Sequence, residues 1–370
     1  MKTKQFVFQV TVIVLLAIFL RAHNAQAQGL LTPPAGVPGP TMKSLAQIEP
    51  RTAISTAPYT INAPGSYYLT TNLSVNVSNA ITIAVGNVTL DLNGFTIAST
   101  TPSPVGTAVL IANSQTNIAI FNGSIASGVS ETGGVYSGRG FDSGIEFALN
   151  LNSPPNYGQP VNVRVSHVSV SGCLTYGIFL GGLSTLVEYC TVQTVGSYGL
   201  EAAKIQNSVA GDCGDTAIDS IEVSDCHGQS IGSGAGINAS IVENCYGSST
   251  NGYGLSATTV QNCEGVSVNL GGIFAQQAVN CQGSSSASTY DGIYAVNAQN
   301  CTGYNTTGTG IRATSTAINC YGQGNTDGIE VDGVAENCNG RASTNGIGLI
   351  ASSASNCSGY CSAGNSGVGL

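Results

Sequence analysis

Four ionisable side chains in one short stretch could carry hydrolytic chemistry. The stretch GDCGDTAIDSIEVSDCHGQSIGSG, residues 211–234, contains Asp212 and Asp215, followed by Asp225 and His227. Inverting hydrolysis of a glycosidic bond needs a carboxylic acid and a carboxylate about 6.5–9.5 Å apart on one face. Aspartates on adjacent turns of a stacked coil could reach that separation. We therefore take these four residues as the candidate catalytic set.

The same acids allow a second chemistry, β-elimination from a uronate polymer. That reaction needs a basic side chain, and Arg164 and Lys204 are the nearby candidates. It also uses Ca²⁺, which prefers hard oxygen ligands. The carboxylates that could collect such an ion are Asp212, Asp215, Asp219, Glu222 and Asp225. In the alternative, these acids form a solvated outer face, and we expect no cofactor and no other metal.

Aromatic side chains offer binding instead of catalysis. Tyr246 and Tyr321 each follow a cysteine directly, at an outward position where a ring could stack on a sugar. Residues 126–160 form a stretch containing Gly and Pro, and it includes Tyr136, Arg139 and Asp142. Long excursions from a regular scaffold are where binding residues concentrate. We predict that these five residues contact a ligand.

A repeat of 17–20 residues must position all of these side chains. Upstream, Cys173, Cys190, Ser208 and Cys226 hold the register. A second series, Gly followed by Leu or Ile, runs in parallel and ends at Ile347. Short apolar segments separated by turn residues at a fixed period indicate a solenoid, whose turns stack about 4.8 Å apart. The motif Asn-Cys-x-Gly recurs at Cys245, Cys263, Cys281, Cys301, Cys320, Cys338 and Cys357.

The motif itself has a structural explanation. Asn and Gly tolerate left-handed backbone and would supply the bends. Cys is small and buries well, so one inward position per turn becomes a ladder, and Asn beside it can form a ladder of side-chain amides. Stacked cysteines have parallel Cβ vectors, which strains a disulfide, so we expect mainly buried free thiols. We place Cys213 and Cys361 outside the ladder, in loops just after a corner.

The two ends of the chain differ from the repeat. A basic start, an apolar run over residues 6–20 and Ala25-Gln26-Ala27 predict a signal peptide at residues 1–27. Residues 28–50 read as an extended leader. Residues 51–370 form the repeat domain, with longer turns over 51–172 and regular short turns over 173–370.

Charge narrows the range of partners. The chain has ten basic and nineteen acidic residues, and loss of three basic residues with the signal peptide leaves 7 − 19 = −12. Nucleic acid is therefore excluded as a partner, because its phosphates need Lys and Arg. Anionic glycans would be repelled unless a cation bridged them.

The turn DLNGFTI, residues 91–97, followed by N-C-x-G turns, resembles the right-handed parallel β-helix repeat proteins of the pectate-lyase-like superfamily. The leader LTPPAGVPGPTMKSLAQIEPRTAI with GSYYLTTNL is similar to exported bacterial β-helix proteins of unassigned function. The resemblance covers roughly residues 29–370 and implies a right-handed coil.

One segment, His227 to Ser233, resembles the HGxSIGS segment of polygalacturonase-type hydrolases. That family's Asn-Thr-Asp should precede the aspartate pair, but here it begins at Asn325, about five turns downstream. Its Arg-x-Lys should follow the histidine, but no Arg or Lys lies between Lys204 and Arg312. His227 also fills the variable position of the repeat motif, which weakens the hydrolase interpretation.

We therefore expect an all-β, right-handed parallel β-helix, a solenoid with turns of about 18–20 residues. Its expected role is non-catalytic and outside the cell or at its surface, or in a periplasm: binding of a polysaccharide or cell-surface glycan, adhesion or scaffolding. The alternative is a polysaccharide hydrolase or lyase, which should gather the four catalytic candidates on one exposed face. We expect no membrane span after cleavage, and end-to-end association through an uncapped C-terminal strand edge.

Overall fold

The computed structural model describes residues 49–148, 159–343 and 346–362. The chain divides into two compact units, Met1–Pro50 and Arg51–Leu370. Only Glu49 and Pro50 of the first unit are described, so the predicted signal peptide and nearly all of the leader lie outside the described residues. Within the described part there is no helix of the length and hydropathy that a membrane crossing requires.

The described residues of the second unit form 34 strands. The strands before the regular short turns are β1 Thr52–Ile54, β2 Tyr59–Ile61, β3 Gly65–Leu69, β4 Leu73–Val75, β5 Ile81–Ile83, β6 Val88–Asp91, β7 Thr96–Ser99, β8 Thr107–Ile111, β9 Thr116–Ala126, β10 Gly128–Thr132, β11 Val135–Arg139, β12 Ser143–Phe147, β13 Val161–Cys173, β14 Tyr176–Phe179, β15 Ser184–Glu188 and β16 Thr191–Val195.

The regular turns follow with two strands each. They are β17 Leu200–Gln206, β18 Val209–Cys213, β19 Ile218–Ser224, β20 His227–Ser230, β21 Ile237–Glu243, β22 Tyr246–Ser249, β23 Leu255–Gln261, β24 Glu264–Ser267, β25 Ile273–Val279, β26 Gln282–Ser285, β27 Ile293–Gln299, β28 Thr302–Asn305, β29 Ile311–Ile318, β30 Tyr321–Gly324, β31 Ile329–Glu336, β32 Asn339–Ala342, β33 Leu349–Ser355 and β34 Ser358–Cys361.

Every strand of the coil pairs in parallel with the strand one turn away, which confirms the predicted solenoid. The long strand of each regular turn covers two faces, since β17 pairs with both β14 and β15. The short strand forms the third face, as β18 does on β16. The hairpin β10–β11 is the one antiparallel pairing among the described strands.

Inward-pointing residues stack into rows that fill the coil. The row that opens each long strand is fully buried and apolar, and in the regular turns it consists of Leu200, Ile218, Ile237, Leu255, Ile273, Ile293, Ile311, Ile329 and Leu349. The side chains of a second buried row become smaller along the chain, from Ile205 and Val223 to Ala278 and later alanines. Because apolar burial dominates folding free energy, these rows hold the turns together.

The residue before each ladder cysteine makes the corner, as predicted for Asn. Asn262, Asn280 and Asn300 have φ values of 54°, 55° and 53°, in the left-handed region that Asn tolerates better than most residues. Each amide also donates to the Asn one turn earlier, with Asn280 Nδ2 3.1 Å from Asn262 Oδ1 and Asn300 Nδ2 3.0 Å from Asn280 Oδ1. The ladder runs unbroken from Asn244 to Asn356.

The cysteines are the small, inward members of this corner. All twelve are free thiols, and ten of them are buried, as expected from the stacking argument. The backbone N–H of Cys245 donates to Cys263 Sγ at 3.3 Å. Ser208 takes the same place in its own turn, where Cys190 N donates to Ser208 Oγ at 3.1 Å. The position therefore requires a small acceptor more than it requires sulfur.

The glycine of the motif has a different cause from the one predicted. The motif glycines are absent from the left-handed backbone positions. A Cβ added to Gly283 would instead lie 2.2 Å from the carbonyl oxygen of Gly292 and 2.4 Å from Ile293 Cγ1. Glycine is needed because the short strand packs directly on the start of the next long strand. The prediction that this glycine supplies a bend is wrong.

The structure differs from the sequence expectations at four further residues or segments. Cys213 ends β18 and is fully buried, and Cys361 ends β34, so neither lies in a loop. Ile329 pairs with Leu349, so Leu349 and not Ile347 closes the Gly-Leu/Ile series. Residues 143–147, expected within the excursion, form β12 of the coil, which pairs with β8 and β14.

Candidate functional site

The four catalytic candidates are spread along the short strands and the corners at both ends of them. Asp225 and His227 lie exposed on either side of Cys226 at the Asn corner. Asp212 lies near the end of β18, where its carboxylate accepts a hydrogen bond from Thr194 Oγ1 at 2.7 Å. Asp215 lies at the next corner, against Gly234. In the strand register His227 pairs with Val209, three residues before Asp212, which corresponds to about 10 Å along a strand.

Asp212 instead anchors the predicted excursion. Tyr136, on the hairpin β10–β11, donates from its hydroxyl to the backbone oxygen of Asp212 at 2.9 Å and lies 3.3 Å from Oδ1. The Tyr136 side chain packs on Gly196 with its Cβ and on Gly214 with its ring, and both glycines leave room for it. Burial raises the pKa of Tyr136, so the phenol stays a donor. The structure thus brings together one predicted binding residue and one predicted catalytic residue, in a docking contact.

The other binding candidates are dispersed. Arg139 is exposed on β11, and Asp142 accepts from Thr175 Oγ1 at 2.7 Å. Tyr246 and Tyr321 do share one outward row, but four turns separate them. That separation is about 19 Å at 4.8 Å per turn. They cannot form one sugar platform.

The Asn corner borders a groove of about 1150 Å³. His227 and Tyr246 stand in it with ring centroids 4.6 Å apart. Its amides, however, already hydrogen-bond to one another along the ladder. The ladder amides are therefore already engaged with one another, and the remaining polar side chains of the groove include Asp225, His227 and Glu264.

Calcium finds no ready site in the described ranges, since no group of three or more His, Cys, Asp or Glu side chains there is arranged to hold a metal ion. Three of the five carboxylates that could bind the ion have other partners, and Asp212 with Thr194 is one of them. Glu222 pairs with Lys204 at 2.5 Å, and Asp219 accepts from Asn238 at 2.9 Å. Within the described ranges these carboxylates are not gathered as a Ca²⁺ site would require.

A different face gathers the chemistry. The first outward position of each long strand forms a line of register partners that we call the outer row. It carries carboxylates, one amide, one aliphatic hydroxyl, aromatic rings and one guanidinium, in the order Glu146, Phe179, Glu201, Asp219, Asn238, Ser256, Phe274, Tyr294, Arg312 and Glu330.

At one end of the outer row, two carboxyl groups stand on adjacent turns. Glu201 and Asp219 are direct register partners and line a cleft of about 490 Å³. Burial, with a smaller contribution from Asp219, raises the pKa of Glu201 to about 7. Burial also raises the pKa of Asp219, although the hydrogen bond from Asn238 lowers it. Tyr176 stacks on Phe179 nearby, with centroids 4.3 Å apart.

Further along, four aromatic rings enclose a smaller cavity of about 220 Å³ that we call the aromatic cup. Phe274 and Tyr294 stack with centroids 5.4 Å apart and planes 8° from parallel. Tyr253 lies 5.2 Å from Phe274 and 6.1 Å from Tyr290. The edges of the cup are Gly271, Thr289, Asp291 and Arg312.

Asp291 and Arg312 are the charged groups of the cup. The Asp291 side chain is 12 % exposed, and Arg312 Nε lies 3.6 Å from its Oδ2. Burial raises the pKa of Asp291 to about 6, although the guanidinium opposes the shift. Arg312 Nη2 bonds Glu330 Oε2 at 2.6 Å. The cup therefore combines stacking surfaces with a buried carboxyl group.

The outer row was missed although the sequence contained its signal. Each member in the regular turns directly follows the Leu or Ile of the Gly-Leu/Ile series, as Glu201 follows Leu200 and Phe274 follows Ile273. Aligning the residues that directly follow the Leu or Ile of that series would have shown the outer row. The cup also needs Tyr253 and Tyr290, which lie two residues before Leu255 and three before Ile293, at positions where other turns carry other residue types.

Comparison with known proteins adds little. No protein-family model matches this chain, and no curated protein matches it. One solved structure that it resembles is the crystal structure of the Dettilon tailspike protein, at 14 % identity and a TM-score of 0.34. The alignment covers 82 % of this chain and 63 % of that one, less than two thirds of the tailspike chain. A likeness this distant supports no argument about function.

Proposed function

We propose that this protein is exported and binds glycan chains through the outer row, with the aromatic cup as the principal subsite. The cup is the single observation that carries the proposal. Sugar rings present flat C–H faces to aromatic rings and hydroxyl groups to carboxylates, and ligand sites typically combine an apolar wall with a few convergent polar groups. Phe274 and Tyr294 supply that wall, and Asp291 supplies the acceptor.

The geometry of the outer row suits a linear polymer. Successive residues of the row lie about 4.8 Å apart, close to the length of one sugar unit in an extended chain. Asn238 and Ser256 lie between the carboxyl pair and the cup and can bond sugar hydroxyl groups. An oligosaccharide could therefore follow the row from the cup towards Glu201.

Charge selects among glycans. Five carboxylates belong to the row or the cup, namely Glu146, Glu201, Asp219, Asp291 and Glu330, against the single cation Arg312. Uronate polymers would be repelled at this face. The favoured ligands are neutral or positively charged glycans.

Hydrolysis of a bound glycan is the second candidate, and the carboxyl pair favours it. Glu201 has its pKa raised to about 7, as a general acid requires. The backbones of register partners on adjacent turns lie about 4.8 Å apart, so their carboxyl groups can reach the 5–5.5 Å spacing of retaining glycosidases. If the protein is an enzyme, Glu201 and Asp219 are better placed than the predicted set of Asp212, Asp215, Asp225 and His227.

Binding can be tested on the mature chain, residues 28–370, with a panel of neutral, amino and acidic oligosaccharides in calorimetry. We expect measurable affinity for neutral or amino chains that grows with chain length. Phe274→Ala and Tyr294→Ala should each weaken it roughly tenfold, because loss of one stacked ring removes about 1–3 kcal/mol. Tyr321→Ala, which removes an equally large ring on another face, should leave it unchanged. Equal affinity in all four proteins would exclude the cup.

Hydrolysis has its own assay. New reducing ends released from any bound polymer, and abolished in Glu201→Gln but retained in Asp215→Asn, would establish the second candidate. A binding protein releases none.

A further inference from the structure

The carboxylate of Asp291 is incompletely satisfied. Its side chain is 12 % exposed, yet among the described residues it accepts no hydrogen bond, and its ion contact with Arg312 Nε is 3.6 Å long. That Nε atom is itself buried and has no hydrogen-bond partner. A buried carboxylate is normally paired and hydrogen-bonded. The cup therefore presents an acceptor that a ligand can complete.

Arg312 does not neutralise the cup. Its Nη2 atom is engaged by Glu330 at 2.6 Å. Asp327 and Glu330 both act on the Asp291 carboxyl and raise its pKa. Three carboxylates against one guanidinium give 1 − 3 = −2 for this cluster. The local field therefore favours a cation over a neutral or negative ligand.

The aromatic walls of the cup also favour a positively charged ligand. The faces of Tyr and Phe rings attract cations, and four rings, from Tyr253, Phe274, Tyr290 and Tyr294, surround a cavity of about 220 Å³. Burial raises the pKa of Tyr253, and Asp291 adds to the shift, so the phenol remains neutral at physiological pH. Rings on several sides and a carboxylate on one are the features that recognise an ammonium group.

We propose that the aromatic cup binds the protonated amine of an amino sugar, with Asp291 as the counter-ion and the rings as its cage. The inference rests on the proposed glycan binding and names its substrate class, a glycan with free amino groups. The ammonium N–H groups would donate to the Asp291 carboxylate, which no side chain among the described residues does.

The affinity for an amino sugar should fall at both low and high pH. The pKa of Asp291 is about 6, raised by burial and opposed by Arg312. As pH falls through that value, the carboxylate gains a proton and loses its attraction for the cation. As pH rises into the alkaline range, the ligand amine loses its proton. Affinity should therefore pass through a maximum, whereas a neutral sugar should show no alkaline decline.

The test compares a glucosamine tetramer, an N-acetylglucosamine tetramer and phosphocholine by calorimetry at about pH 6.5 on the mature chain. We expect the amine tetramer to bind roughly tenfold tighter than the acetylated one, because a charged hydrogen bond and a cation–π contact are lost on acetylation. Equal or tighter binding of the acetylated tetramer would overturn the amine assignment and leave glycan binding intact. Binding of phosphocholine alone would assign the cup to a quaternary ammonium group and overturn the amino-sugar proposal.

Variants separate charge from folding. Asp291→Asn should weaken the amine tetramer roughly tenfold and remove the acidic limb of the pH profile, with little effect on the acetylated tetramer. Asp332→Asn removes an exposed carboxylate of β31 outside the cup and should bind as the wild type does. An amine affinity unchanged in Asp291→Asn would refute the proposal. If the wild-type protein binds none of the glycans in the panel, glycan binding itself is refuted.

Discussion

Replacing Gly283 by alanine tests the account of the repeat motif. The new Cβ would lie 2.2 Å from the carbonyl oxygen of Gly292, 2.9 Å from its carbonyl carbon and 2.4 Å from Ile293 Cγ1. Two of these atoms are backbone, and the oxygen accepts a hydrogen bond from Ile273 N at 3.1 Å. Relief of the overlap must displace that carbonyl. Overpacking costs about 1–3 kcal/mol, and a weakened backbone hydrogen bond adds about 1 kcal/mol.

We therefore expect Gly283→Ala to lose about 2–4 kcal/mol of local stability. The matched control is Gln282→Ala, one residue earlier and exposed, where surface substitution changes stability by about 0.5 kcal/mol or less. Hydrogen exchange measured by mass spectrometry would locate the effect, because turns contact only their neighbours. Protection should fall in β24–β28 and remain unchanged in β1–β9. If the two variants exchange alike, the close-approach explanation of the glycine is refuted.

Three further outcomes are expected. Asn300→Ala should lower the free energy of unfolding in urea by about 2–3 kcal/mol, because of left-handed backbone strain and two lost amide hydrogen bonds. Asn300→Gly should lose about 1 kcal/mol less, because glycine adopts the left-handed backbone without strain. Equal losses in the two variants would show that backbone strain contributes nothing. Tyr136→Phe should lose about 1 kcal/mol and speed proteolysis within the β10–β11 hairpin, whereas an unchanged cleavage rate would mean that the hydroxyl does not hold it. The raised pKa of Glu201 favours its protonated form in the folded state, so stability should fall as pH rises from about 4.5 through about 7; Glu201→Gln should flatten that dependence, and an identical pH profile would contradict it.

The fold was predictable because a solenoid repeats one local solution in every turn. Asn at the corner, Cys pointing inward and Leu or Ile opening the long strand recur at fixed offsets, so the register could be read directly. The role of the motif glycine could not be predicted from the sequence. It depends on how closely Gly283 approaches Gly292, a distance set by packing across the coil and not by spacing along the chain.

The candidate site was harder to predict because surface chemistry does not repeat. The predicted set of acids followed a local motif in residues 211–234, but stacking distributes Asp212, Asp215 and Asp225 over different parts of the turn. The outer row was encoded one residue after the Gly-Leu/Ile series. Tyr253 and Tyr290, which complete the cup, occupy corner positions where other turns carry other residue types, and their convergence appears only in three dimensions.

The most direct test of glycan binding is a crystal structure of the mature protein with the oligosaccharide that binds most tightly. We predict a sugar ring against Phe274 and Tyr294, a polar group of that sugar on Asp291, and the chain running along the outer row towards Glu201. A sugar bound instead in the groove beside the Asn ladder, with the aromatic cup empty, would contradict the account.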